Sequence, residues 1–329
     1  MDRSDSIISS FKHKKVLIVG DVMVDAYVFG KVDRISPEAP VPVINVEKKE
    51  SRLGGAANVA LNIMALGAVP LMCTVIGEDE EGKNLRYIFK ESSLSTEGLV
   101  SSPNRKTTTK TRLIGNRHQL LRIDNEVTHD LDDVENIKLL DAYKKHLETA
   151  DVVILEDYNK GVLNEKNIPI LIKLANERGV PIAVDPKKKN FLAYKNVTLF
   201  KPNLKEIREG LNIEDNLKDP ESLKRSVLQL NEILGNKYSM ITLSEDGVMI
   251  TDHQNFYNIP AHIRNISDVS GAGDTVISVA ALCLALQLPL ELVAGLSNLA
   301  GGLVCEEMGV VPVNLEKFRA EAKIEFSKI

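Results

Sequence analysis

Short apolar runs that are typical of buried strands recur along this chain between stretches with helical spacing. Six runs indicate strands: Val16–Val19, Leu71–Ile76, Val152–Leu155, Ile182–Val184, Val197–Phe200 and Met240–Leu243. Three intervening segments place apolar residues on one helical face: Ala56–Leu66, Ile168–Glu177 and Leu223–Leu234. Such an alternation predicts a mostly parallel sheet covered by helices on both faces. We therefore expect a doubly wound α/β fold.

Two segments interrupt this alternation and indicate an inserted β element. Residues 26–47 contain three prolines among β-prone residues, and residues 106–124 have the pattern of a β-hairpin with its turn near Gly115-Asn116. We interpret the two segments together as a small β lid inserted into one α/β domain that covers residues 1–329. The alternative is two surface hairpins that are unrelated in space.

The charge of the chain excludes some classes of partner. Its 46 acidic and 41 basic residues give a formal net charge of -5, so no global charge favours nucleic acid or an anionic membrane surface. The run Lys187–Lys189 lacks the interleaved aromatic residues and the wider basic surface of a nucleic-acid site. We therefore expect small-molecule ligands, with any anion site formed locally.

Cysteine usage and hydropathy indicate the compartment. Three cysteines without a CxxC pair are typical of reduced thiols rather than of a disulfide framework or a zinc site. The first residues lack the apolar region of a signal peptide, and the longest apolar stretch, Val276–Leu286, is too short to span a bilayer. We therefore expect a cytoplasmic protein.

The segment Gly77–Lys83 has the glycine and lysine spacing of a P-loop after a predicted strand. Asn84 stands where a P-loop has the Ser or Thr that holds magnesium, and four carboxylates occupy the loop that would surround the phosphates. We therefore interpret this segment as the acidic N-terminus of a helix, which the helix dipole stabilises.

A better anion site is the segment Asp268–Val276, which leads directly into an apolar helix. The small residues Gly271, Ala272 and Gly273 allow successive backbone N–H groups to converge at the helix N-terminus, where they can hold a transferring phosphoryl group. Asp274 lies in the first turn beside that anion and could accept a proton from a nucleophilic hydroxyl. The alternative is an ordinary carboxylate at a helix N-terminus.

At this point the sequence resembles a known family. The string DVSGAGD, which begins at Asp268, resembles the C-terminal signature of the PfkB (ribokinase-like) carbohydrate kinases. Three more family elements occur in the expected order: Gly54–Ala60, Lys201–Glu206 and Ile241–Gly247. The resemblance covers almost the whole chain, and it implies a ribokinase-like fold and an ATP-dependent sugar kinase.

Within this family, the sequence is most similar to the kinases that act on heptose 7-phosphate. These kinases serve ADP-heptose synthesis for the lipopolysaccharide core. Four strings carry the similarity: Gly20–Asp25, Arg34–Pro42, Asp157–Gly161 and Asp185–Lys187. Two positions depart from the family pattern, because Ser270 replaces a common Thr and Glu156 replaces a small polar residue. The bifunctional members continue into a nucleotidyltransferase domain, and this sequence ends at Ile329, so we expect kinase activity alone.

The resemblance implies the reaction and its catalytic parts. The substrate would be D-glycero-D-manno-heptose 7-phosphate, phosphorylated by ATP on the anomeric hydroxyl to the 1,7-bisphosphate. Asp274 would be the base, and the N–H groups of Gly271–Asp274 would stabilise the moving phosphoryl group. Mg²⁺ would be positioned by Asn203 and Glu206 through water, and a monovalent cation such as K⁺ is also expected. The nucleotide contacts implied are Thr242, Ser244, Gly247, Ser270 and Asn298. A homodimer through the lid is implied as well.

Several residues are candidates for binding the sugar. Asp25 is expected at the end of the first strand, where doubly wound folds bind ligands. The family motifs add Gly54, Gly55, Asn58, Asp157, Lys160 and Lys187. For each of these the alternative is a structural role: a strand-end carboxylate, a helix N-terminus or a surface lysine.

The predicted hairpin of the lid carries six basic residues between Arg105 and Arg122 and no acid. A solvated basic face is the common explanation of such a run. For a kinase whose acceptor already carries a phosphate, an arginine with bidentate geometry is the expected contact at the far end of the sugar. We therefore place Arg112 first as the acceptor-phosphate ligand and Arg117 as a further candidate.

Two other functions remain open from the sequence. One is a different PfkB kinase that acts on ribose, fructose 6-phosphate or a nucleoside and shares the catalytic residues. The other is a non-catalytic sugar- or nucleotide-sensing protein on the same scaffold, but that function does not require the intact Asp274.

Overall fold

The structure is a computed structural model that describes residues 3–262 and 264–326. Its strands, in chain order, are β1 (Lys15–Gly20), β2 (Val22–Ile35), β3 (Pro42–Gly55), β4 (Val69–Gly77), β5 (Leu99–Ser102), β6 (Thr109–Gly115), β7 (His118–Asn125), β8 (Val152–Glu156), β9 (Ile182–Asp185), β10 (Leu199–Phe200), β11 (Tyr238–Thr242), β12 (Val248–Thr251) and β13 (Phe256–Ile259). Its helices are α1 (Arg3–Ser9), α2 (Ala56–Ala65), α3 (Glu80–Glu91), α4 (Asp133–Leu147), α5 (Ile168–Glu177), α6 (Leu204–Leu211), α7 (Pro220–Leu234), α8 (Ala272–Ala285), α9 (Leu290–Val304) and α10 (Leu315–Phe326).

The main sheet has nine strands in the order β13-β12-β11-β10-β9-β8-β1-β4-β5. Neighbouring strands are parallel, except that β12 is antiparallel to both β11 and β13. Because side chains alternate along a strand, Val16 and Ile18 of β1 lie in one hydrophobic core, and Leu17 and Val19 lie in the other. Helices α2, α8 and α9 cover the first face, and α4, α5 and α7 cover the second. The predicted doubly wound fold is confirmed.

A second sheet of four strands has the order β3-β2-β6-β7. Strand β2 pairs in antiparallel fashion with β3 and in parallel fashion with β6, so the two segments that the sequence singled out lie in one sheet. This sheet, called the small sheet below, extends beyond the predicted segments, since β2 begins at Val22 and β3 continues to Gly55. Its hairpin turn lies one residue later than predicted, at Asn116 and Arg117, whose φ angles are 51° and 67°.

The acidic segment Gly77–Lys83, which has the residue spacing of a P-loop, leads into helix α3. The side chain of Asp79 accepts a hydrogen bond from the backbone N–H of Gly82 at 2.8 Å and so caps the helix. Glu80 and Glu81 follow in the first turn, where the helix dipole favours negative charge. The predicted acidic helix N-terminus is confirmed.

Among the described helices, none is long and apolar enough to cross a bilayer.

Candidate active site

The site lies where β1 and β8 run side by side in the main sheet. After β1 the chain returns to the sheet as β4 on one side, and after β8 it continues as β9 on the other side. The loops that follow the two strands therefore diverge and leave a crevice at the carboxyl edge, where open α/β sheets bind ligands. Asp21 follows β1, and Glu156 and Asp185 end β8 and β9.

Asp274 approaches this crevice from the first turn of α8. The helix begins after Gly271, whose φ of 80° allows the sharp entry into the helix. The Asp274 carboxylate is buried, and it accepts hydrogen bonds from Asn58 Nδ2 at 2.7 Å and from the Tyr158 hydroxyl at 2.8 Å. Burial raises the pKa of Asp274 to about 6, although these two hydrogen bonds oppose the rise. Asp274 is thus held in place and can accept a proton near neutral pH.

Two lysines surround Asp185 beside this helix N-terminus. The buried Lys201 Nζ lies 2.8 Å from Asp185 Oδ2, and Lys187 Nζ lies 3.3 Å from Asp185 Oδ1. Their positive charges hold the pKa of Asp185 below its usual value, although burial opposes them. A Cβ atom built on Gly273 would lie 3.8 Å from Lys201 Nζ, so the ammonium group is near the backbone at the start of α8. The start of α8 and two cations thus lie together, as the predicted local anion site requires.

Asn203 and Glu206, which the sequence predicts at a magnesium site, form the capping box of α6. Asn203 Oδ1 accepts the backbone N–H of Glu206, and Glu206 Oε2 accepts that of Asn203, both at 2.9 Å. Glu206 Oε1 also lies 2.8 Å from Lys187 Nζ. Each of these oxygens thus already has one protein donor. A carboxylate oxygen can accept a second hydrogen bond, so the pair fits the water shell of a metal ion.

The position expected for Asp25 was wrong. Asp25 was expected at the end of the first strand of the main sheet, but it lies in β2 of the small sheet, because the chain leaves the main sheet at Asp21. The Asp25 carboxylate accepts a hydrogen bond from Arg112 at 2.5 Å. A Cβ atom on Gly54 would lie 2.2 Å from Asp25 Oδ2, so a larger residue at position 54 would displace this carboxylate.

Asp21 fixes the loop that follows β8. Its buried carboxylate accepts the backbone N–H groups of Tyr158, Lys160 and Val162, each at 3.0 Å. Burial, assisted by the nearby charge of Asp157, raises the pKa of Asp21 to about 6. This contact places the side chains of Tyr158 and Lys160 at the mouth of the crevice.

The basic candidates for the acceptor phosphate occupy different places. Arg112 lies over the ring of Tyr27, 5.2 Å from its centroid. Lys160 Nζ lies 2.6 Å from Glu126, which follows β7, so the crevice loop and the small sheet are joined by an ion pair. Lys187 lies beside Asp185 near the start of α8, and Arg117 lies in the exposed hairpin turn. The structure therefore brings Arg112 and Lys160 to the side of the crevice that the small sheet borders.

Two predicted sugar ligands already have partners within the protein. Asn58 donates to Asp274, as described above. The Asp157 carboxylate accepts hydrogen bonds from the Tyr194 hydroxyl at 2.7 Å and from Asn190 Nδ2 at 3.0 Å. Gly55 has a φ of 62° where β3 turns into α2, and a Cβ there would meet the backbone oxygen of Asp21 at 2.4 Å. These contacts are sufficient to explain the three residue types structurally.

The predicted nucleotide contacts lie around the end of β11 and the start of α8. Thr242 ends β11 and forms an isolated bridge with Asn203, which brings the strand end to the start of α6. Ser244 and Gly247 follow in the tight turn to β12, with φ angles of 56° and 92°. The backbone N–H of Ser270 donates to Asp268, and Asn298 Nδ2 donates to the oxygen of Pro260 at 2.8 Å.

Sequence reasoning assigned no role to Tyr158 or Lys201, which contact Asp274 and Asp185. Both residues stand within strings that the sequence analysis had noted, but their partners are distant along the chain, and no local pattern shows them. The capping box could have been found, because an Asn-x-x-Glu spacing at the start of a helix is its signature.

Comparison with known proteins agrees with this geometry. Residues 13–317 match the family described as pfkB family carbohydrate kinase. Among curated relatives, the bifunctional protein HldE of Aliarcobacter butzleri is 39% identical over 306 residues, 93% of this chain and 64% of the relative. The bifunctional protein HldE of Caulobacter vibrioides is 42% identical over 313 residues, which are 94% of this chain and 64% of the relative. The chain thus spans about two thirds of the length of these relatives.

Solved structures share the fold. Phosphofructokinase-2 from Escherichia coli in complex with potassium has a TM-score of 0.76 at 19% identity, with 94% of this chain and 99% of the other covered. Ribokinase of Arabidopsis thaliana, complexed with ribose and ATP, has a TM-score of 0.72 at 17% identity, with 94% of this chain and 99% of the other covered. The similarity extends over the main sheet, the small sheet and the helices that cover them.

Proposed function

The chain belongs to the pfkB family of carbohydrate kinases, and from that premise we propose that it phosphorylates D-glycero-D-manno-heptose 7-phosphate with ATP to the 1,7-bisphosphate. Sugar kinase activity with ATP follows from the family, whereas the acceptor and its reacting hydroxyl are the proposal. The observation that carries it is the buried Asp274 carboxylate beside the anion site of α8. The resemblance of Arg34–Pro42 to the heptose 7-phosphate kinases supports the choice of acceptor.

The proposed reaction is a direct phosphoryl transfer. The anomeric oxygen of the sugar forms a bond to the γ-phosphorus of ATP as the bond to the ADP oxygen breaks, and the hydroxyl proton passes to Asp274. Backbone N–H groups of residues 271–274, with the ammonium groups of Lys187 and Lys201, stabilise the charge on the moving group. Magnesium on the nucleotide would neutralise phosphate charge, and Asn203 and Glu206 would orient its water shell.

At the other end of the sugar, the 7-phosphate needs cationic partners. Arg112 uses one nitrogen for Asp25, so the rest of its guanidinium remains for a phosphate. Lys160 lies across the crevice and is held by Glu126. We assign the acceptor phosphate to these two cations, and we assign to the small sheet the role of a lid that covers the sugar and excludes water.

The proposal extends to assembly and ions. Strand β7 is exposed at an edge of the small sheet, and it carries the exposed side chains Leu121 and Ile123. An apolar sheet edge of this kind favours pairing with a second copy of the chain, so we propose a homodimer through the lid. The potassium in the related phosphofructokinase-2 supports a monovalent cation as a further cofactor.

A substrate panel tests the proposed acceptor. With ATP and magnesium fixed, ADP formation is measured for heptose 7-phosphate, free heptose, fructose 6-phosphate, ribose and a nucleoside. We expect the highest kcat/KM for heptose 7-phosphate. A preference for ribose, fructose 6-phosphate or the nucleoside would assign the chain to another member of the family.

The pKa of Asp274 predicts the acid side of the pH profile. The groups that face it are Asn58 and Tyr158, which donate hydrogen bonds, and the ionisable side chains of Asp185, Lys201 and Glu156. Only the ionised carboxylate can accept the hydroxyl proton, so kcat/KM should rise with pH through about 6, where Asp274 loses its proton. The profile is measured with magnesium equal to ATP. A rate that is flat between pH 5 and pH 7 would contradict the assignment.

The same profile tests Tyr158 as a positioning residue. Tyr158→Phe removes a hydrogen bond that lowers the pKa of Asp274, so the pKa should rise and the acid limb should move to higher pH by about one unit. Loss of fold stability alone would lower the rate without moving the limb. An unmoved limb would therefore leave Tyr158 with a packing role.

Glu206→Gln tests the outer-shell contact with magnesium. Gln can keep the capping box, so helix α6 should still begin at the same place. Loss of the negative charge should raise the magnesium concentration for half-maximal rate by about tenfold. The matched control is Glu135→Gln in the capping box of α4, which should leave the magnesium dependence unchanged. Equal behaviour of the two variants would make Glu206 a structural cap only.

A further inference from the structure

Glu156 is a buried carboxylate that lacks protein donors. It ends β8 with 0% of its surface exposed, and neither carboxylate oxygen accepts a hydrogen bond from the described residues. Buried polar groups in folded proteins are nearly always paired, so an unpaired carboxylate indicates a partner of another kind.

Two other carboxylates lie next to Glu156. One oxygen each of Glu156, Asp185 and Asp274 lies within 4.8 Å of the other two. Three atoms at most 4.8 Å apart lie within about 2.8 Å of a common point, and magnesium–oxygen distances are about 2.1 Å. The three oxygens can therefore contact one cation after small side-chain movements. They come from β8, β9 and α8, which the main sheet and its packing hold together.

The local charge leaves room for a cation. Lys187 and Lys201 both contact Asp185, and Lys187 also contacts Glu206, but neither lysine forms an ion pair with Glu156 in the described structure. The hydrogen-bond donors to Asp274 are neutral. Burial and the charges of Asp185 and Asp274 raise the pKa of Glu156 well above its usual value, so a proton is the competing partner.

We propose that Glu156, Asp185 and Asp274 bind a hard divalent cation of the Mg²⁺ or Mn²⁺ class on the protein itself, in the absence of nucleotide. This site differs from the outer-shell contact at Asn203 and Glu206, where the ligand is the metal ion of the nucleotide. Asp274 would contact the cation through one oxygen. Its other oxygen accepts one hydrogen bond from the protein and can accept a second one from the sugar hydroxyl. The bound cation compensates the buried charge of Glu156 and adds positive charge beside the N-terminus of α8.

Mn²⁺ binding to the full chain, without nucleotide or sugar, tests this site. Free Mn²⁺ is followed by electron paramagnetic resonance during a titration. Wild type should bind one Mn²⁺ at this site, and Glu156→Gln should weaken that binding at least tenfold, because a charged ligand is lost. Glu135→Gln is the matched control, since Glu135 is also buried but has Ser102 and the N–H of Asp132 as donors. The control should bind Mn²⁺ as wild type does.

Three results would overturn the proposal. Wild type could bind no Mn²⁺ at millimolar concentration, or wild type and Glu156→Gln could bind it with equal affinity. In a crystal, the anomalous diffraction peak of Mn²⁺ could lie near Glu206 and not between the three carboxylates.

If Glu156→Gln fails to fold, Glu156→Ser takes its place, because small polar residues are usual at this position. The readout does not use kinase activity. A chain that phosphorylates heptose 7-phosphate but binds no Mn²⁺ would refute the cation site alone, and the reverse result would refute only the proposed substrate.

Discussion

Asp274→Asn should lower kcat by about 10²–10⁴ while the KM for ATP changes little, because the amide keeps the shape of the carboxylate but cannot accept the hydroxyl proton. The surroundings can accommodate the amide. Its oxygen can still accept from Tyr158, and Asn58 can turn its own unpartnered Oδ1 toward the new NH₂ group. The measurement is steady-state kinetics at saturating heptose 7-phosphate, with a melting curve to show that the variant is folded.

A matched control separates the loss of the base from the loss of any buried carboxylate. Glu135→Gln removes a buried carboxylate whose hydrogen-bond donors, Ser102 and the N–H of Asp132, lie outside the active site, and it should keep kcat near that of wild type. A fall of less than tenfold for Asp274→Asn would refute the role of Asp274 as the base.

Arg112→Ala should cost about 2–5 kcal/mol in kcat/KM for heptose 7-phosphate and very little for free heptose. The loss removes a charge-assisted contact with the acceptor phosphate in a partly desolvated place, since Arg112 lies against Tyr27 and is 22% exposed. The KM for ATP should stay near its original value. The measurement compares kcat/KM for two enzymes and two acceptors.

The structure adds a second role for Arg112 that this comparison can separate. Arg112 also pairs with Asp25, so the variant would free the carboxylate of a residue that is a candidate sugar ligand, and this change would affect both acceptors equally. Equal losses would therefore show that Arg112 acts through Asp25, and the phosphate ligand would be sought at Lys160. Lys31→Ala is the control, because it removes a 65% exposed cation from the same sheet and should change neither acceptor.

The sequence predicted the main sheet well because its buried strands are apolar on both faces and stand out from the helices between them. It could not show where β1 ends and β2 begins. The apolar pattern continues on both sides of Asp21, and only the pairing of Val22–Ile35 with β3 and β6 reveals that the chain has changed sheets. Because the sequence does not show this change of sheet, Asp25 was wrongly expected at the end of the first strand of the main sheet.

The position of Asp274 was also predictable, because small residues before a helix create an anion site by local geometry. Its environment was not. The partners Asn58 and Tyr158 lie 216 and 116 residues away along the chain, and Lys201 reaches Asp185 from the end of the neighbouring strand β10. Such contacts depend on the tertiary fold, so the raised pKa of Asp274 and the unpaired Glu156 could be found only in the structure.

The three backbone hydrogen bonds that Asp21 accepts have a mechanical consequence for the small sheet. They fix Asp21, which directly precedes β2, to the loop after β8. The first four residues of β2 are buried. Any bending of the small sheet would therefore begin further out, from Ala26 onward, where the strand becomes half exposed. Asp25 is the last buried residue before this part of the strand, and Arg112 pairs with Tyr27 within it. If the small sheet closes over the acceptor as proposed, it bends at the same rungs that carry the proposed sugar contacts, so closure and acceptor binding would be one motion.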